Sequence, residues 1–250
     1  MKSRLIVLIF FSFAVALGAS PVSENDISVV ATTSWAAAFA LAAGAEDVHV
    51  LAPYEMQHPP EYELRPSDLV ILSEADLVIF GGYERMAGKI REALGADSPR
   101  LLQIPTDYTL ATMESTIGVL SEALGTVADD PAKVYREFYA DWRRELEGLD
   151  VIGKKVIAHV FLKPFADEIG IEVVGVFGPA PLEARQIVNL SNLEADLILD
   201  NWHNEVGKPL LEVMKDTPVI ELINFPGVEG TKTLLDVLEL IRKRVLEAVE

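Results

Sequence analysis

Short apolar runs rich in β-branched residues recur along this chain, and nearly every one leads into a segment with helical spacing; no other feature restricts the fold as strongly. Over the first 108 residues the runs fall at 27–31 (Ile-Ser-Val-Val-Ala), 48–51, 77–80 and 101–104. Helical patterns occupy 35–43, 67–73 and 84–94 between them, with Ser67 placed to cap the second. From Lys154 the alternation resumes with runs at 156–158, 173–176, 197–199 and 219–222, and a helix over about 231–249 closes the chain. Strands joined through helices pair in parallel, and such sheets are covered on both faces. The pattern predicts an α/β fold of two Rossmann-like lobes with parallel sheets, residues 27–108 and 151–250, joined by a long connecting helix within 109–150. That link is broken only near Asp129, Asp130 and Pro131, and Val134, Phe138, Trp142, Leu146 and Leu149 form an apolar stripe along its second part.

The chain opens with Lys2 and Arg4, an apolar run at 5–17, and the small residues Gly18, Ala19 and Ser20. Those are the parts of an export leader, placed at residues 1–19. Its apolar core is shorter than the roughly 20 residues a spanning helix needs, which favours cleavage, with an uncleaved anchor as the alternative. The leader implies a protein that works outside the cytoplasmic membrane, and the lack of a cysteine after it for lipid attachment leaves soluble release, an uncleaved anchor or another tether. The 250 residues contain no cysteine at all, which excludes disulfides and thiolate metal sites. Net charge is −18, and removing Lys2 and Arg4 makes it more negative. Nucleic acid and anionic membranes, which need basic patches, are excluded as partners.

In open parallel sheets, ligands bind beyond the carboxyl ends of the strands, so the residues there are the ones to inspect. Of four histidines, His49 lies inside a strand and is read as packing or surface. His58 sits in a Pro-rich loop after the second strand, where Pro59 and Pro60 restrict the backbone. His159 directly follows the run at 156–158, and His203 follows 197–199 through Asp200, Asn201 and Trp202. Three imidazoles at strand ends, one in the first lobe and two in the second, suit a divalent transition metal between the lobes. A fourth, oxygen ligand is open among Glu61, Glu63, Glu84, Asp107, Asp200, Glu205 and Asn224. Gly81-Gly82 lacks the G-x-G-x-x-G and Walker patterns and is read as a tight turn. Neither H-E-x-x-H nor G-x-S-x-G is present, so no enzymatic activity is expected.

Three stretches carry a resemblance to a known family: Val29-Val30-Ala31-Thr32-Thr33-Ser34-Trp35, Glu61-Tyr62-Glu63-Leu64-Arg65-Pro66-Ser67-Asp68, and Leu72-Ser73-Glu74-Ala75-Asp76-Leu77-Val78-Ile79. They resemble the zinc- and manganese-binding solute receptors of ABC importers, the TroA-like periplasmic proteins, whose corresponding segments read V-V-A-T-x-S, P-H-x-Y-E-x-x-P-S-D and L-S-x-A-D-L-V. The likeness extends more loosely through Lys155-Val156-Ile157-Ala158-His159 to the C-terminus.

The resemblance implies two lobes joined by one rigid helix, zinc or manganese as bound cargo with no organic cofactor, and an ABC-importer permease as partner. His58 and His159 would be ligands, and a monomer is expected. The chain departs from the pattern at three points. The family's loop imidazole falls where this chain has Pro60, so His58 requires a loop two residues longer. A D-P-H-x-W motif is replaced by Thr106-Asp107-Tyr108-Thr109-Leu110, and a late aspartate is missing from Leu222-Ile223-Asn224-Phe225-Pro226-Gly227. His203 with a nearby acid would substitute for a missing ligand. The alternatives are a receptor of this fold that has lost the metal site and binds another solute or partner, and a secreted metallohydrolase.

Overall fold

The computed structural model describes residues 27–126, 130–149 and 153–249. The export leader expected at 1–19 lies outside them.

The first apolar run forms β1 (Val29–Ala31), buried at every position. The chain turns through Thr32 into α1 (Ser34–Ala42), capped by Thr33, whose side-chain oxygen accepts the Ala36 N–H. Next come β2 (His49–Val50), a long loop containing a 3-10 turn at Pro59–Glu61, then α2 (Pro66–Glu74), β3 (Leu77–Phe80), α3 (Ala87–Leu94) and β4 (Leu101–Gln103). His49 is exposed on its edge strand.

Two boundaries differ from expectation. At α2, Arg65 rather than Ser67 holds the cap position: Pro66, which needs no amide partner, opens the helix, and Asp68 accepts the Arg65 N–H at 2.7 Å. At α3, residues 84–86 precede the helix, and the Glu84 carboxylate turns back to the Gly81 and Gly82 N–H groups.

The connection is helical, as α4 (Leu110–Leu124) and α5 (Lys133–Glu147), 15 residues each. Gly125 closes α4 in the left-handed conformation at φ 66°, which ends the helix before the second begins. The buried face of α5 is Tyr135, Phe138, Tyr139, Trp142 and Leu146. Val134, expected in that stripe, is exposed, because the two tyrosines take the core side of the first turns.

The second lobe follows with β5 (Lys155–His159), α6 (Lys163–Glu168), β6 (Glu172–Phe177), α7 (Ala184–Ser191), β7 (Leu197–Asn201), α8 (Lys208–Val213), β8 (Val219–Leu222) and α9 (Leu234–Val249). Both sheets are parallel throughout and share one plan, β2-β1-β3-β4 and β6-β5-β7-β8. In each, strand order reverses between the first and third strands, and a crevice opens beyond their carboxyl ends. His159 ends β5 and His203 follows β7, so both flank the reversal in the second lobe.

Buried side chains of both sheets join α1, α4, α5 and α9 in one contiguous core. Trp142 of α5 is fully buried and stacks on Phe165 of α6, with ring centroids 5.1 Å apart. On the same face of α5, the Tyr139 hydroxyl donates to the Tyr108 carbonyl at 2.6 Å. Glu168 of α6 accepts the Leu110 N–H at 3.1 Å, so a second-lobe carboxylate caps the first turn of α4.

Candidate functional site

The carboxyl ends of the two sheets face a cleft of about 580 Å³. The first lobe contributes Trp35, the loop residues Gln57, His58 and Glu61, Tyr83 and Asp107; the second contributes Phe161, His203, Asn204, Asn224 and Phe225.

The loop carrying His58 is anchored at both ends. Tyr62 is buried, and its hydroxyl donates to Asp68 at 2.8 Å, tying the loop to the first turn of α2. This bond gives the Tyr62…Asp68 spacing of the loop motif a physical role. On the cleft side, Gln57 reaches across to the second lobe, its side-chain N–H group donating to the Trp202 carbonyl at 2.8 Å and to Glu205 at 3.1 Å. Between these anchors His58 is exposed at the cleft, and its ring makes no hydrogen bond among the described residues.

Opposite it, His203 is 4% exposed and lines the cleft wall. Its ring stacks on Phe225 at 3.5 Å, and Phe225 in turn packs on Trp35 at 6.0 Å and Trp35 on Tyr108 at 5.5 Å. This ladder of rings runs from one lobe to the other behind the site. Nδ1 of His203 accepts the Asn224 N–H at 3.3 Å. Burial pushes the His203 pKa down to about 3, with the Asn224 side chain opposing and His58 adding to the fall, so the ring is neutral at physiological pH.

His159 is fully buried and stands one hydrogen bond behind the cleft wall. Its Nε2 lies 2.8 Å from Oδ1 of Asn204, which does line the cleft, and its Nδ1 accepts the Phe161 N–H at 3.2 Å. Burial lowers its pKa as well.

Most of the carboxylates considered as oxygen ligands are occupied or turned elsewhere. Glu84 accepts from Thr32 Oγ1 at 2.6 Å and from the two glycine N–H groups at 2.8 and 2.7 Å, which fastens the strand-order reversal of the first lobe. Those N–H groups would be the anion cradle of a phosphate loop; here a carboxylate of the same turn fills it. Asp107 lines the cleft, but both its oxygens accept from Thr109 and Thr112 at the start of α4. Asp200 is buried against Gly207, where a Cβ would come within 2.6 Å of its Oδ2. Glu205 pairs with Lys208 at 2.9 Å, and this pairing lowers its pKa. Glu63 is exposed away from the cleft, which leaves Glu61 as the exposed carboxylate on its wall. Among the described residues no three His, Asp or Glu side chains converge as a metal site.

Two cleft residues, Asn224 among the candidate oxygen ligands and Trp35 outside them, carry unmatched groups. Trp35 Nε1 and Asn224 Oδ1 are buried with no hydrogen-bond partner, and both residues line the cleft. Asn224 stands just after β8, a strand end that signals its place; Trp35 lies in an Ala-rich helix and gives no such signal.

The fold defines a two-lobed α/β protein with a cleft between the lobes. It shares this fold with TroA, a protein with metal binding specificity (TM-score 0.66, 17% identity, covering 90% of this chain and 99% of that one). It is similar also to the AdcAII protein of Streptococcus pneumoniae (TM-score 0.69, 14% identity, 90% and 100% covered). A third likeness is to a manganese-bound periplasmic metal binding protein from Candidatus Liberibacter asiaticus (TM-score 0.62, 13% identity, 90% and 100% covered). No protein-family profile matches the sequence, and no curated protein matches it.

Proposed function

We propose that this chain is an extracytoplasmic receptor that captures a divalent transition metal, zinc or manganese, between its lobes and delivers it to an ABC-importer permease, without a reaction of its own. The observation that carries this reading is that His58 of the first lobe and His203 of the second face one cleft, at the strand ends where such folds bind ligands. The shared fold supports it, since solved proteins of that fold include periplasmic metal binding proteins, and it favours a receptor over a metallohydrolase.

In this reading His58 is the first-lobe ligand and Glu61, on the same turn, its neighbouring carboxylate. Asn224 would offer an amide oxygen where the related receptors carry an aspartate. His159 would join only if Asn204 swings aside, so its contribution is the smaller. Domain limits at 27–108, 109–150 and 151–250, export through residues 1–19, and a monomeric state belong to the same proposal.

The test is calorimetric titration of zinc and manganese into the chain lacking residues 1–19, prepared metal-free and without a histidine tag. One-to-one binding is expected, weakened at least about tenfold, or roughly 1.4 kcal/mol, by His58→Ala and by His203→Ala, and less by His159→Ala. Binding unchanged in all three variants, or no heat with either ion, would sink the proposal.

A second reading, a receptor of this fold that binds an organic solute instead, is favoured by one observation: both second-lobe rings already have Nδ1 engaged by backbone N–H groups. Binding of a metal-free solute in the same cleft, with no response to zinc, is the outcome that selects it.

A further inference from the structure

Of the large apolar side chains that stand exposed among the described residues, two are aromatic: Tyr83, 51% exposed, and Phe161, 44% exposed. Tyr83 lies just past β3 in the first lobe and Phe161 just past β5 in the second, and both line the cleft. Aromatic rings carry large apolar areas and are ordinarily packed away. Two left open on the two sides of one cleft mark a surface that a ligand covers.

Each ring is held in place while much of it stays open. The Tyr83 ring lies against the Gly81 backbone, where a Cβ would come within 2.2 Å of its Cε1, and the Thr106 hydroxyl donates to its oxygen at 3.4 Å. Glycine at 81 therefore makes room for the ring. Phe161 rests on the buried His159 ring, with centroids 5.0 Å apart.

The charge of the lining narrows the ligand. Among the described residues no Lys or Arg lines the cleft, whereas Glu61 and Asp107 do. Such a wall disfavours carboxylates and phosphates and attracts cations. The available acceptors decide which cation. A primary ammonium brings three N–H groups to satisfy, but Asp107 is already engaged by Thr109 and Thr112, which leaves the exposed Glu61. A quaternary ammonium has no N–H; its charge is spread over methyl groups that pack on the faces of aromatic rings. The cleft, at about 580 Å³, lies in the range of roughly 300–1,000 Å³ of sites that enclose small organic molecules.

We infer that the cleft binds a small quaternary ammonium compound of the size of choline, its methylated nitrogen set against the open rings of Tyr83 and Phe161 and its charge balanced by Glu61. This goes beyond the metal reading and does not depend on it, since neither ring is among the proposed metal ligands.

The experiment is equilibrium dialysis of labelled choline against the same untagged, metal-free chain, with two competitors. One is 3,3-dimethylbutan-1-ol, which has the shape of choline without the charge; the other is ethanolamine, which has the charge without the methyl groups. Choline is expected to bind one-to-one, and each competitor at least about tenfold more weakly. Tyr83→Leu and Phe161→Leu each weaken choline at least about threefold, while Tyr83→Phe, which keeps the ring, holds it within about twofold. No choline bound up to about 10 mM, or equal competition by either analogue, overturns the inference. So does binding unchanged in both leucine variants, or a loss in Tyr83→Phe as large as in Tyr83→Leu. All of these arms run without metal, so their failure leaves the metal reading to the zinc titration, and failure of that titration leaves the choline result standing.

Discussion

At the scale of single residues, His203 couples the site to stability. In the unfolded chain its imidazole takes up a proton as pH falls through about 6.5, whereas in the fold burial delays this to about 3. Between those values the unfolded state holds more protons, so stability is complete above about 6.5 and is lost as pH drops toward 3. From pH 7.5 to pH 5 the loss from this ring is about 2 kcal/mol, and His159, shifted in the same direction, adds to it. Urea unfolding of the wild type and of His203→Gln at the two pH values checks this; equal pH slopes would refute it. The position of His203 on the cleft was legible in the sequence, because a residue just past a strand end has its place set by the topology, whereas His58 is carried there by a loop. The position of His159 relative to the cleft was not. Its screen is Asn204, 45 residues further along, and side-chain direction at a strand end depends on partners that spacing does not reveal. The engagement of Glu84 and Asp107 was hidden for the same kind of reason, since a carboxylate near a loop reads alike whether it faces solvent or backbone N–H groups.

At the scale of elements, α5 is the piece whose loss reaches furthest. Its stripe of Tyr135, Phe138, Tyr139, Trp142 and Leu146 is buried between helices of both lobes, and Arg143 on the adjoining face donates to the Glu168 carbonyl at 2.9 and 2.7 Å. Trp142→Ala should destabilise the fold by about 3–5 kcal/mol, the usual cost of emptying a fully buried aromatic site, and Trp142→Phe by less. Denaturant titration measures both, and a change under about 1 kcal/mol for the alanine variant would contradict the packing described. The strands and most helices were readable from periodicity because each must bury a face. The register of α5 was misjudged by one position at Val134 because Tyr135 and Tyr139 are amphipathic, and only tertiary packing decides that their rings go inward.

At the scale of the whole molecule, two sheets built on one plan share one large core, and each covers a smaller core of its own. Such a body should lose its structure in one step: near-UV circular dichroism and intrinsic fluorescence are expected to give coincident melting curves, and two separated transitions would show the lobes to be independent. The bridge that Gln57 makes over the cleft mouth then acquires a bearing on time rather than on affinity. In the receptor proposed above, if the lobes do not swing apart, cargo would depart when this short segment lifts. Two hydrogen bonds hold it with roughly 1–3 kcal/mol, a latch open in about one molecule in six to one in 160 at any instant. Such a catch is loose enough to be sprung by a membrane partner pressing on one loop, so the dwell time of the cargo would be governed at Gln57 instead of by the swing of half the protein.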